Sequence, residues 1–258
     1  MIEFEKYQGT GNDFVLIDDR KSLHNFSVDM IKRLCDRHFG IGADGIILLR
    51  EHNHHDFEML YYNADGLPGS MCGNGGRCAV AYAHKLGLIS NKASFSAFDG
   101  AHRAIIKSTD PYIVSLQMND VSEIESNDGY FFLNTGSPHY VSFGNNVRSK
   151  DVVGEGRKIR YNKRFEKDGT NVNFVEPFND DLFIRTYERG VEGETLSCGT
   201  GVTASVIAAS AAGIISNNSC LVETLGGKLM VNFNKNGNTF SDIWLEGAAD
   251  FVFSGKLL

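Results

Sequence analysis

No run of apolar residues in this sequence approaches the roughly 20 needed to cross a bilayer as a helix. The opening Met1-Ile-Glu-Phe-Glu-Lys-Tyr7 is too polar for the apolar core of a signal peptide, so a cytoplasmic protein is expected. Positive charge is not in excess either. The 25 Lys and Arg stand against 32 Asp and Glu, a net charge of -7 mixed in sign along the chain. That offers no basic surface to nucleic acid or anionic lipid, and a small polar substrate is the better expectation. The five cysteines (Cys35, Cys72, Cys78, Cys198, Cys220) are an odd set without close metal-binding spacing and without a Cys-x-x-Cys pair, which argues for free thiols in a reducing compartment. His52, His54 and His55 lie in a polar stretch, Glu51 to Asp56, that reads as a hairpin connection; no second ligand cluster follows, and no metal site is assigned.

What the sequence does have is repetition. Cys72-Gly-Asn-Gly-Gly-Arg-Cys-Ala begins one segment and Cys198-Gly-Thr-Gly-Val-Thr-Ala-Ser begins another, 126 residues on. The register holds forward, from Gly87-Leu-Ile-Ser-Asn91 to Gly213-Ile-Ile-Ser-Asn217 and from Gly100 to Gly226. It holds backward from Tyr61 to Tyr187 and from Phe57 to Phe183. A chain of 258 residues, 42% hydrophobic, can form one large or two modest domains, and the repeat favours two. Two like halves, each with one cysteine at the same position, can face two thiols across a shared cleft.

Residues 2 to 7 and 14 to 18 read as short strands, and Val28 to Phe39 as a helix capped near Ser27. Ile46 to Leu49 and Phe57 to Tyr62 are further strand candidates. Gly76 to Leu86 and Val202 to Ala212 read as helices apolar on nearly all sides, hence buried. Ala104 to Ile106 and Leu229 to Phe233 return to strand-like alternation. The expected class is α+β in two pseudo-symmetric domains, each a curled mixed or antiparallel sheet around a central helix. The polar, acidic stretch Met118 to Gly129 marks the joint, giving domains 1–118 and 119–248. Phe251 to Leu258 is apolar enough to be a strand.

Cys-Gly-x-Gly directly before a buried helix puts the thiol at the positive end of the helix dipole, beside amides with no intrahelical partner. Such a setting lowers a thiol pKa from its reference near 8.5. Glycines at 73, 75, 199 and 201 leave room for a ligand, and the first-turn amides can hold a carboxylate. Most free cysteines are small buried hydrophobes, and Cys35, Cys78 and Cys220, lacking a repeated glycine-flanked helix start, are read that way.

Seven segments in order resemble the diaminopimelate epimerases, a family that inverts an α-carbon without pyridoxal phosphate. They are Gly9-Thr-Gly-Asn-Asp-Phe14, Asp36-Arg-His-Phe-Gly-Ile-Gly-Ala-Asp44, Asn63-Ala-Asp-Gly66, Cys72 to Cys78, Gly136-Ser-Pro-His139, Gly169-Thr-Asn171, and Tyr187-Glu-Arg-Gly190 followed by Gly193-Glu-Thr and Cys198-Gly-Thr-Gly201. The resemblance covers nearly the whole chain. It implies a two-base reaction interconverting LL- and meso-diaminopimelate for lysine synthesis, with Cys72 as proton donor and Cys198 as acceptor by family convention. It also implies a C-terminal strand, about 249–258, returning to the first domain, and a cytoplasmic homodimer needing no cofactor.

By the same resemblance, Gly73, Asn74, Gly199 and Thr200 are the helix-start positions that bind the reacting carboxylate. Asn12, Asn63, Asn171, Glu188 and Arg189 grip the ammonium groups and the distal carboxylate, and His139 and Glu188 assist the cysteines. An arginine suits a carboxylate because it binds with two parallel hydrogen bonds. The plainer readings are turn asparagines, a solvated Glu188–Arg189 surface pair and a packed loop histidine. The chain departs from the pattern at Gly45, where some members carry a substrate-contacting glutamine, and at Ser137, where some carry asparagine; Ser137 is a shorter substitute that can act through water. Gly190-Val-Glu-Gly-Glu194 is one residue longer than the commonest form.

Three rival readings stand. A proline or hydroxyproline racemase shares the paired-cysteine logic, but a substrate with one carboxylate and one amine has no need of Arg189 and several asparagines. A thiol redox module would pair Cys72 with Cys198, yet such pairs are usually close in sequence. A metal protein would have to rest on the histidines at 52 to 55.

Overall fold

A computed structural model of the chain describes residues 2–69 and 71–257. The chain divides into two compact units, Met1–Leu116 with Gly247–Leu258, and Gln117–Glu246.

The first unit contains β1 (Ile2–Gly9), β2 (Asn12–Asp18), α1 (Val28–Cys35), β3 (Gly45–Arg50), β4 (Phe57–Asn63), α2 (Gly73–Lys85), β5 (Lys92–Ala97), β6 (Gly100–Thr109) and β7 (Tyr112–Gln117). The second contains β8 (Ile124–Asn127), β9 (Tyr130–Asn134), β10 (Pro138–Phe143), α3 (Val152–Arg160), β11 (Asn171–Phe178), β12 (Asp181–Glu188), β13 (Gly193–Thr195), α4 (Gly199–Ala211), β14 (Ser219–Thr224), β15 (Gly227–Asn236) and β16 (Thr239–Ala248), whose last residues lead back to the first unit, where β17 (Asp250–Leu257) ends the chain.

Strand pairing repeats between the units. In the first, β17–β1 and β1–β2 are antiparallel, β2–β3 parallel, β3–β4 antiparallel, β4–β5 parallel and β5–β6 antiparallel. In the second, β8–β9 and β9–β10 are antiparallel, β10–β11 parallel, β11–β12 antiparallel, β12–β14 parallel and β14–β15 antiparallel. Helix α2 packs on β1, β2, β3, β4 and β6, and α4 on the matching β9, β10, β11, β12 and β15. In a flat sheet β1 and β6 would lie about 24 Å apart, well over twice the ~10 Å width of a helix. One helix touches both because the sheet curls around it. The architecture is α+β with two pseudo-symmetric domains, as the sequence leads one to expect.

Burial explains the two central helices. Gly73 to Ala83 are all buried, as are Gly199 and Gly201 to Ser210. Small residues let the surrounding strands close in, and two fully buried hydroxyls of α4 are satisfied by its own backbone: Thr203 Oγ1 donates to Gly199 O at 3.0 Å and Ser205 Oγ to Gly201 O at 2.7 Å.

Several boundaries differ from those expected. Both central helices begin three residues earlier, at Gly73 and Gly199, so that Cys72 and Cys198 are the N-cap residues, with extended backbone. Helix α1 stops at Cys35, not Phe39, because the Asp36 carboxylate accepts from His38 N and Phe39 N, both at 2.7 Å, and closes a turn instead. The repeat carries one inserted residue: Gly100 pairs with Ala97 and has φ +125°, and its counterpart is Gly227, which pairs with Thr224 and has φ +144°, not Gly226. The acidic stretch contains β8, and α3 has no counterpart in the sequence reading.

Candidate active site

The sequence-predicted residues gather around the two helix starts, one group in each unit. In the first unit, Cys72 is half-buried and its Sγ donates to Asn12 Oδ1 at 3.4 Å. Asn74 Nδ2 donates to the same oxygen at 3.3 Å, and Asn12 Nδ2 donates to Asp44 Oδ2 at 2.6 Å. Behind them lies Arg77, one turn along α2 and 0% exposed. Its guanidinium donates to Asn74 Oδ1 (2.9 Å), Gly73 O (3.2 Å), Ala248 O (3.3 Å) and Thr10 Oγ1 (3.4 Å). Burial pulls the Arg77 pKa down, and the neighbouring Cys78 and Cys72 oppose that. Sequence reading passed over Arg77 although it stands inside the repeated motif; the signal was a charge at the head of the apolar run Cys78 to Ala83.

Asn63 ends β4 half-buried, with its backbone in a turn: its N–H donates to Leu67 O and its carbonyl accepts from Gly66 N. Gly45 is a glycine for a steric reason. A Cβ there would sit 2.5 Å from the Tyr61 ring and 2.5 Å from Tyr62 O, so no side chain, glutamine included, fits.

In the second unit, Cys198 is 8% exposed and its Sγ lies 3.5 Å from Thr200 Oγ1. Thr200 Oγ1 is 3.3 Å from Ser137 Oγ, which is 3.1 Å from His139 Nε2. His139 is fully buried, and burial, with a smaller push from the Arg189 charge, holds its pKa down to about 3, so the ring is neutral near pH 7. Asn171 is also buried and its amide is committed to the protein: Nδ2 donates to Ser137 Oγ (3.0 Å) and Pro138 O (3.1 Å), and Oδ1 accepts from Arg189 N (2.9 Å). Glu188 Oε2 accepts from Thr195 Oγ1 at 2.9 Å.

Arg189 is exposed, steadied by one bond from Nη1 to Asp168 O at 2.8 Å. It packs across Gly169, where a Cβ would lie 2.5 Å from Arg189 Cδ. The residue that lengthens the following loop is absorbed at Glu192, which adopts φ +56° and accepts from Tyr187 Oη at 3.0 Å and Gly190 N at 3.2 Å. Asn173 was not singled out from the sequence, yet its Nδ2 lies 3.1 Å from His139 Nδ1.

The other cysteines are buried thiols. Burial raises Cys35 to about 11 and Cys78 and Cys220 to about 12, so none is a thiolate near neutrality. His52 is a turn residue: its Nδ1 accepts from His54 N (3.2 Å) and His55 N (3.1 Å). Among the described residues no group of three His, Cys, Asp or Glu is placed to hold a metal, and no helix is long and apolar enough to cross a membrane.

The family model for diaminopimelate epimerase matches residues 4–123 and 131–252. The chain belongs to the diaminopimelate epimerase family. A diaminopimelate epimerase of Flavobacterium psychrophilum is 53% identical to it over 254 residues, covering 98% of each chain. Membership places the chain among the isomerases. Its fold extends well beyond the family: a phenazine biosynthesis protein of the PhzF family from Bacillus anthracis superposes with a TM-score of 0.77 at 13% identity, over 100% of this chain and 99% of that one. A hydroxyproline epimerase from Agrobacterium vitis does so with a TM-score of 0.69 at 13% identity, over 98% and 91%. At that identity the likeness is one of fold, and the proline-type racemases are distant fold relatives only.

Proposed function

We infer that this protein is a diaminopimelate epimerase, interconverting LL- and meso-2,6-diaminopimelate by moving a proton off one face of the α-carbon and another onto the opposite face. The observation carrying the chemistry is that each of the two like units caps its buried central helix with one cysteine, Cys72 or Cys198. Inversion by a single base tends to return the original proton, so two groups, one acid and one base, serve it best. Cys198 as thiolate removes the α-proton and Cys72 as thiol supplies the new one; the reverse direction exchanges the roles.

The first-turn groups of α2 and α4, at Gly73, Asn74, Gly199 and Thr200, hold the reacting carboxylate where helix dipole and amides also stabilise the carbanion-like transition state. Asn12 and Asn63 bind the amino-acid end, and Glu188 takes an ammonium. Arg189, exposed with donors to spare, binds the distal carboxylate. Ser137, His139 and Asn171 support the Cys198 side. We assign the chain two domains, 1–118 with the strand at about 249–258, and 119–248. We also assign it a cytoplasmic setting in lysine synthesis and a homodimeric state. The dimer is supported by β17, a strand paired with β1, whose Phe251, Val252 and Phe253 are exposed apolar residues.

Purified protein incubated with LL-diaminopimelate, and separately with L-proline and trans-4-hydroxy-L-proline, tests the substrate. The expected result is an approach to LL/meso equilibrium with no change in the cyclic amino acids. Epimerisation of either cyclic amino acid at a comparable rate would overturn the assignment.

A further inference from the structure

The polar groups behind Cys198 form a chain whose hydrogens can be placed one by one, starting from backbone atoms whose roles are beyond choice. Asn173 Nδ2 lies 3.0 Å from Tyr140 O, a carbonyl that can only accept, while Asn173 Oδ1 takes the Thr186 hydroxyl at 2.9 Å. The amide therefore presents a donor to His139 Nδ1 at 3.1 Å. That nitrogen must be the bare one, and the ring proton sits on Nε2. Asn171 is fixed in the same way, its Oδ1 held by Arg189 N and its Nδ2 by Pro138 O.

Ser137 Oγ then receives two donors, His139 Nε2–H at 3.1 Å and Asn171 Nδ2 at 3.0 Å. Both its lone pairs are taken. Its own proton goes to the remaining neighbour, Thr200 Oγ1, at 3.3 Å. Thr200 accepts there and keeps its own proton to give; Cys198 Sγ is 3.5 Å away, and toward a thiolate, which has no proton, the hydroxyl is the donor. Thr200 is itself held by its carbonyl, which accepts from Thr135 Oγ1 at 2.8 Å.

We propose that Asn173 is a positioning residue: by fixing the Nε2–H tautomer of His139 it sets a one-way hydrogen-bond chain, through Ser137 and Thr200, that ends as a hydroxyl donor aimed at Cys198 Sγ. Such a donor stabilises the thiolate over the thiol. A chain of opposite direction would present a lone pair to the sulfur and favour the thiol. The Arg189 charge acts on His139, and Glu188 precedes it at the end of β12; neither belongs to the chain. Gly201 completes the device, since a Cβ there would meet Asn173 Oδ1 at 2.4 Å and displace it.

The inference rests on the role proposed for Cys198, but its readouts need no turnover, so either reading can fail without the other. In the first measurement, long-range 15N–1H correlation spectra of histidine-labelled protein, with His139→Gln to assign the resonance, are expected to show His139 as a single Nε2–H tautomer. An Nδ1–H tautomer, read in the wild-type protein, would overturn the proposal. In the second, the pH profile of Cys198 alkylation by iodoacetamide is followed by peptide mass spectrometry in wild type, Asn173→Ala, Ser137→Ala and the double variant. Each single change is expected to raise the midpoint by about half a pH unit or more, with the double variant no higher than Ser137→Ala alone, because links in series are lost only once. Unmoved midpoints, or shifts that add, would overturn it.

Discussion

Gly75 and Gly201 occupy the same position in the two repeats, the third residue of α2 and of α4, so replacing either by alanine changes helix propensity equally. That shared gain is up to about 1 kcal/mol. The surroundings differ. At Gly75 the new Cβ meets the ends of side chains, Ile47 Cδ1 at 3.1 Å and Met59 Cε and Phe14 Cζ at 3.4 Å, which can yield by a few tenths of an ångström. At Gly201 it lands 2.4 Å from Asn173 Oδ1. Restoring ordinary contact requires that oxygen to retreat by about 1 Å, which breaks the bonds to Thr186 and His139, at about 1 kcal/mol each, and adds an overpacking cost of about 1–3 kcal/mol. Gly75→Ala should therefore lie within about 1 kcal/mol of wild type, and Gly201→Ala should be destabilised by about 2–4 kcal/mol. Differential scanning calorimetry reads this as a fall in Tm of about 5 °C or more for Gly201→Ala alone. Equal Tm values for the two variants, or a rise at Gly201, would refute the claim that Asn173 is held rigidly against α4.

The remaining predictions concern charge and fit. His139, held to about 3 against an ordinary 6.5, refuses a proton in the folded state that the unfolded chain accepts; the resulting stability is complete above about pH 6.5 and drains away as pH falls toward 3, at no more than about 1.4 kcal/mol per pH unit. Urea titrations from pH 7 to 5 should show this slope and its flattening in His139→Gln. Gly45→Ala, two clashes at 2.5 Å, should cost about 1–3 kcal/mol by the same titration, and Tyr61→Ala should not rescue it because the Tyr62 carbonyl remains in the way. Arg77→Leu strands acceptors on Gly73, Asn74 and Ala248 and should cost about 3 kcal/mol or more, with Arg77→Lys recovering only a minor part, since one ammonium cannot span the guanidinium's four partners.

The parts of this molecule that were legible in the sequence are those written as repeated local pattern. The doubled Cys-Gly-x-Gly before an apolar run announces two buried helices and, through them, the curled sheets that enclose them. The helix starts were misjudged by three residues because glycine is a poor helix former, yet here Ile47, Met59 and Phe14 close around Gly75, and Asn173 presses on Gly201 so that nothing larger fits there. The end of α1 was misjudged because a carboxylate at Asp36 competes with the helix for the amides of His38 and Phe39. Asn12, Asn171 and His139 were found by resemblance alone, since nothing local separates an asparagine in a turn from one whose amide is spent on its neighbours. Asn173 and Arg77 escaped notice for a different reason. Their importance lies in what they touch across the fold, Tyr140, Thr186 and His139 for one and Thr10 and Ala248 for the other, and no spacing along the chain records such contacts.

The central claim, two thiols acting on one carbon from opposite faces, is tested most directly by LL-diaminopimelate in deuterated water, with the isotope content of product and recovered substrate read by mass spectrometry at early times. Wild type should give meso product carrying one solvent deuteron at the inverted carbon while the remaining LL isomer stays unlabelled, and Cys72→Ala and Cys198→Ala should each lose epimerisation. Deuterium entering the LL isomer as fast as the meso product, or either single variant epimerising at the wild-type rate, would contradict a two-thiol mechanism.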